Sequence, residues 1–164
     1  MTTVLMLLLG VVLTAGTFIF VSAEFSLVAV DQAVLDKKAE EGDRGAASVL
    51  RATRTLSTQL SGAQVGITLT TILLGYTTQS ALADLLEDLL GSVGLAWGLA
   101  TGIAAFVAAT FVNVFSMLFG ELVPKNLALA HPLATAVRVV PFQMAFTAIA
   151  RPVIWVLGGT ANWV

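Results

Sequence analysis

The stretch VLMLLLGVVLTAGTFIFVSAEFSLVAV, Val4 to Val30, decides the fold. It carries one formal charge, Glu24, and exceeds the roughly 20 apolar residues a helix needs to cross a bilayer, so it reads as a tilted transmembrane helix. No basic region and small-residue cleavage site mark it as a removable leader. Working outward, Asp31 to Ser61 is densely and mixedly charged, with apolar residues at Val34, Leu35, Val49, Leu50, Leu56 and Leu60. That pattern predicts short amphipathic helices broken around Glu41-Gly-Asp-Arg-Gly45. Gly62 to Leu82 reads as a second span diluted by Thr and Gln, Asp84 to Gly94 as an acidic connection, and Leu95 to Val123 as a third span with one charge, Glu121. The tail, Leu133 to Val164, is apolar but interrupted by Arg138, Pro141 and Arg151-Pro152. It is expected as kinked juxtamembrane helices at or partly in the interface, where Trp155 and Trp163 would sit well; a fourth complete span is the alternative.

The 164 residues are 57% hydrophobic and 11% charged, far below the about 25% charge of soluble domains, which places the chain among all-α membrane proteins as a single domain. It has no cysteine, which excludes disulfides and thiolate chemistry, and a net charge of −2 without a basic patch argues against nucleic acid. The positive residues orient the spans. Lys37, Lys38, Arg44, Arg51 and Arg54 fall in the first connection, Lys125, Arg138 and Arg151 follow the third span, and none lies in the second connection. The positive-inside rule puts the N-terminus outside the plasma membrane, and the first loop and C-terminus in the cytoplasm.

Polar residues inside the spans are costly, about 2.5–3.5 kcal/mol for a central charge, and such residues mark ion or substrate pathways. Ser22 and Ser26 share one helix face, with Glu24 pointing away as a structural carboxylate. On the third span Asn113 and Gly120 lie on one stripe flanked by Ser116 and Glu121, and Ser22 and Asn113 count to a similar depth. Pro124 has no N–H for the carbonyl four residues back, that of Gly120. The offered ligands are all oxygen, which suits hard cations such as Mg²⁺, Ca²⁺ or Na⁺. Blander roles stand beside these: Asn113 as glue between helices, the serines bonding their own backbone, Glu121 pairing with Lys125 one turn on. Gln64 and Thr68 read as packing, Asp84, Glu87 and Asp88 as a solvated loop, and His131 as interfacial. Gly94, Gly98 and Gly102, like Gly62 and Gly66, repeat every four residues and permit close helix approach, within the chain or between copies. An intramembrane hydrolase is disfavoured, because no histidine, aspartate pair or nucleophile elbow accompanies the serines.

The segments Phe20-Val-Ser-Ala-Glu-Phe-Ser-Leu-Val-Ala-Val30, Leu60-Ser-Gly-Ala-Gln-Val-Gly-Ile-Thr-Leu69 and Phe119-Gly-Glu-Leu-Val-Pro-Lys125, in this order, resemble the transmembrane domain of the CorC / cyclin M (CNNM) magnesium transporters. The resemblance implies a homodimer, three spanning helices per protomer with a cytoplasmic juxtamembrane belt, and a Mg²⁺ site between the first and third helices. Its matching positions here are Ser22, Ser26, Asn113, Gly120 and Glu121. Members continue into a cytosolic helical bundle and a nucleotide-binding CBS-domain pair, to which nothing in this chain corresponds. The expected function is Mg²⁺ transport, as efflux from a site near the cytoplasmic surface, with Na⁺ as a possible driving ion. The alternative is a Mg²⁺-sensing scaffold that acts through the cytosolic part without transporting.

Overall fold

The computed structural model describes residues 2–161, with side chains to residue 156. Every described element is helical. Helix α1, Thr2–Ala29, takes in nearly the whole first apolar run. Helices α2 (Gln32–Glu40) and α3 (Arg44–Thr53) form a hairpin whose starts are fixed by carboxylates. Asp31 Oδ1 accepts from the Ala33 and Val34 N–H at 2.8 and 3.2 Å, and Asp43 Oδ1 from Gly45 and Ala46 at 2.8 and 3.1 Å. Each satisfies two N–H groups that a helix start leaves unpaired. The expected break lies between them, where Gly42 adopts φ +92°. Such a left-handed turn costs a residue with a Cβ more than it costs glycine.

Helix α4 (Leu56–Leu74) runs through a wide π-helical segment, π1 (Gly75–Gln79), into α5 (Ser80–Ser92). Helix α6 (Trp97–Phe115) runs through a second, π2 (Ser116–Leu122), into α7 (Val123–Ala130). Helix α8 (Pro132–Ala161) is one helix through Pro141 and Pro152, where kinked pieces were expected. Trp155 on it is exposed, while Trp163 lies outside the described residues.

Three described helices are long and apolar enough to cross a membrane: Thr2–Ala29, Trp97–Ala130 and Pro132–Val156. The last is the segment expected to lie at the interface. The segment expected as the second span, 62–82, is not among them because its threonines and glutamines dilute it. It nevertheless lies antiparallel to α1. Gly10 abuts Thr78, Gly16 abuts Thr70, and Gly66 abuts Phe20, so the two helices traverse the same thickness. Some of its hydroxyls are satisfied on its own backbone: Thr68 donates to the Gln64 carbonyl at 2.8 Å and Thr77 to that of Leu73 at 2.7 Å.

Near the hairpin, α8 crosses α1 and α4. Phe142 and Phe146 both contact the Phe20 ring, with centroids at 5.8 and 4.6 Å, while Thr147 packs on Gly62. Beside this crossing a compact core of Leu27, Leu35, Val49 and Val140, with alanines 46, 52 and 136, ties the hairpin to α1 and α8. At the opposite end, Thr78 Oγ1 donates to the Met6 carbonyl at 3.1 Å. Helix α5 continues to Ser92, about 20 Å beyond that contact at about 1.5 Å per residue, so the α5–α6 tip stands clear of the first turn of α1.

Candidate cation site

Ser22 and Ser26 are both fully buried on α1, on helices that pack against π2 and α7. Ser26 Oγ donates to the Ala23 carbonyl at a long 3.3 Å. Ser22 Oγ is buried with no hydrogen-bond partner. A buried hydroxyl left unpaired costs about 1–3 kcal/mol, so this atom stands out on a helix whose buried threonines are all bonded. Gly120 faces the same helix: a Cβ there would lie 3.3 Å from Thr17 Cγ2 and 3.4 Å from Ser116 Oγ. Lys125 Nζ sits 4.8 Å from the centre of the Phe25 ring, so the ammonium turns toward α1, one turn past Glu121.

The wide segment alters which carbonyl the proline leaves free. In π2 the Val123 N–H bonds the Leu118 carbonyl, five residues back. In that register the absent N–H of Pro124 is opposite the carbonyl of Phe119, whereas counting four residues back gave Gly120. The irregular backbone thus begins one residue earlier than the sequence suggested, at the same α1-facing turn.

Asn113 and Glu121 lie on the exposed side of α6 and π2, whereas Ser22, Ser26 and Gly120 are buried. The depth match between Ser22 and Asn113 is also corrected. Thr17 is opposite Gly120 and Phe25 opposite Lys125, an offset of 100 to 103 positions, which sets Asn113 level with residues 10 to 13 of α1. Asn113 is therefore roughly 15 Å along the helix axis from Ser22. Counting from expected exits failed because α7 carries the third helix on to Ala130.

Among the described residues no group of three or more His, Cys, Asp and Glu is placed to hold a metal. A cation on this wall would be held by hydroxyl and carbonyl oxygens with at most the single carboxylate of Glu121. That donor set fits a hard cation and not a soft one. Glu24 is half-buried, Gln64 and Thr68 are exposed, and Glu87 accepts from Thr101 Oγ1 at 2.7 Å, tying α5 to α6. His131 ends α7, and its carbonyl accepts from the Thr135 N–H at 3.0 Å. Gly62 and Gly66 serve contacts within the chain, whereas Cβ atoms at Gly98 and Gly102 would meet nothing within 4 Å.

Two polar pairs were not foreseen. Thr17 and Thr70 share a 2.7 Å hydrogen bond between α1 and α4. The Gln143 amide on α8 donates to the Gln59 carbonyl at 2.9 Å and to Thr147 Oγ1 at 3.0 Å. Thr17 had a visible signal, a Gly10–Thr14–Thr17 stripe at helical spacing in an apolar run. Gln143 had none, because nothing local says where α8 crosses.

The family profile for the cyclin M transmembrane N-terminal domain matches residues 8–164. The chain is 44% identical over 162 residues to the UPF0053 protein MT1890 of Mycobacterium tuberculosis, covering 99% of this chain and 36% of that protein. It is 32% identical over 156 residues to the UPF0053 protein YhdP of Bacillus subtilis, covering 95% of this chain and 35% of that one. A similar match, 30% over 140 residues, covers 85% of this chain and 31% of the UPF0053 protein sll0260 of Synechocystis. The chain thus spans about a third of the length of these relatives.

Proposed function

The chain belongs to the cyclin M (CNNM) transmembrane-domain family, and from that premise we propose that it carries Mg²⁺ through the membrane on the wall formed by α1, π2 and α7. The observation that carries this reading is Ser22 Oγ, buried without a hydrogen-bond partner on the helix that packs against the wide turn π2. Mg²⁺ requires near-octahedral oxygen ligation and gives up water reluctantly. Neutral hydroxyls of Ser22 and Ser26 and backbone oxygens around Gly120 replace part of its shell. Glu121, at the exposed edge, supplies negative charge through retained water. Asn113, exposed and roughly 15 Å away along the helix axis, stands outside its ligand shell.

The multi-pass arrangement sits in the plasma membrane with the α2–α3 hairpin in the cytoplasm, as its lysines and arginines favour. The ion loads from that side and leaves outward, with Na⁺ moving the other way. Exposed Gly98, Gly102 and Asn113 give α6 a face that a second copy covers, which makes the working unit a homodimer. A cytosolic CBS-domain pair, in the part of the relatives that this chain does not span, would couple to it through α8.

Mg²⁺ titration of thermal stability tests the site. A ligand specific to the folded state adds about 2.7 kcal/mol at a hundredfold excess over Kd. Saturable stabilisation is expected in the wild type and is expected to vanish in Ser22→Ala, which folds because the hydroxyl it removes bonds nothing. Equal responses would sink the site. Mg²⁺ flux in proteoliposomes then separates transport from the alternative: stabilisation without flux identifies a Mg²⁺-sensing scaffold.

A further inference from the structure

Helix α1 is fitted closely to α4 and α8, through Gly66 against Phe20, Gly10 against Thr78, the Thr17–Thr70 hydrogen bond and the Phe20–Phe146 contact. Its relation to α6 is different. The buried residues of α6 are Ala100, Ala104, Ala108 and Val112, a single i,i+4 stripe on a helix whose main partner is α5. Between α1 and α6 lie two adjoining apolar clefts of about 330 and 310 Å³, both lined by Val11, Thr14 and Phe115. Val112, packed with Leu13 and Leu74, and Leu82 of α5 beside them form the floor of the second cleft. The two π-helical segments fall at the ends of this loosely held unit: π1 joins α4 to α5, and π2 joins α6 to α7. Both are pinned to α1, π1 by the Thr78 hydroxyl on the Met6 carbonyl and π2 by Gly120 against Thr17. A π segment is a strained, rare form of helix and a natural place for a helix to bend.

The geometry points to the α5–α6 hairpin, Ser80–Phe115, as a separate body that swings on the two wide turns and closes the clefts onto Thr14. The frame of α1, α4 and α8 stays fixed while it moves. Closure brings Phe111 and Phe115 onto Val11 and Thr14 and removes the two clefts between α1 and α6. This motion follows from packing alone and holds whichever ion the protein carries.

The natural absence of cysteine makes the test direct. Spin labels at Trp97→Cys and Val28→Cys, both exposed, report hairpin against frame in lipid nanodiscs, and Ile72→Cys with Val28→Cys reports frame against frame. The hairpin pair is expected to show a broad or two-population distance distribution, and the frame pair a single narrow one. Equal narrowness of the two would overturn the proposal. Leu99→Cys, exposed on the same hairpin, replaces Trp97→Cys if that variant fails to fold. In a second measurement Val11→Cys/Phe115→Cys is treated with oxidant. A disulfide needs Cα atoms within about 7 Å, so rapid closure of the bond reports the swing, and its failure to form refutes it.

Discussion

Placing an alanine at Gly66 tests the aromatic contact at the centre of the frame. The new Cβ would lie 2.6 Å from Phe20 Cε2 and 2.7 Å from Cδ2 and Cζ, against the about 3.5–4.0 Å of ordinary carbon contact. The ring must withdraw by about 1 Å, yet Phe146 lies behind it with a centroid 4.6 Å away. Overpacking of this kind costs about 1–3 kcal/mol. A mid-helix glycine-to-alanine change also gains up to about 1 kcal/mol of helix propensity, which masks part of that cost. Gly75→Ala supplies the matching reference, since it is also mid-helix and its Cβ would meet nothing closer than Gln79 Oε1 at 3.9 Å, an ordinary contact. Propensity cancels between the two variants, so their difference isolates the clash. Thermal unfolding in detergent should place Gly66→Ala below Gly75→Ala by roughly 2–12 °C, taking about 2–4 °C per kcal/mol. Equal stability would show that Phe20 is not held between α4 and α8, and the rigid frame would lose its main support.

Three further outcomes follow from named contacts. Thr17→Val keeps the shape and removes the 2.7 Å bond to Thr70, which still has its Gly66 and Ile67 carbonyls; unfolding in SDS should show a loss of only about 0.6 kcal/mol. Gln143→Ala withdraws the donor from the Gln59 carbonyl and opens a cavity under α8, so the same assay should give about 2 kcal/mol or more, with α8 cut earlier by protease. Asp43→Ala uncaps α3 and should cost about 1 kcal/mol, read as a lower melting temperature; no change would mean that the hairpin contributes nothing to the unfolding barrier.

Much of this architecture is legible in the residues. The long apolar runs give α1 and α6, and Gly42 flanked by acidic caps gives the α2–α3 hairpin. The serine pair reads as buried because its spacing is helical and its surroundings are apolar. What escaped the sequence depends on who faces whom. Asn113 and Gly120 sit on one stripe of an ideal helix, but the wide turn between them leaves Asn113 exposed and Gly120 buried, and the extra length of α7 sets Asn113 away from Ser22 in depth. The π segments themselves leave no periodicity to read, because a few widened residues shift the pattern by less than a turn; Pro124 is the single local hint. Gly66 and Phe20 announce themselves separately as small and large, and only the antiparallel register makes them a pair.

The concealed hydroxyls of α4 also bear on how the protein is made. A segment as rich in Thr and Gln as 62–82 is a marginal candidate for entering lipid alone, since insertion is decided by summed side-chain transfer costs. Gly66 finds the Phe20 ring, and Thr70 its one partner outside α4, on a neighbouring α1, which therefore has to be in place first. The docking surface for α8, made of Phe20, Gln59 and Gly62, does not exist until that pair has formed. Biogenesis therefore has a fixed order, with the first helix acting as chaperone to the second and the last helix arriving as the latch.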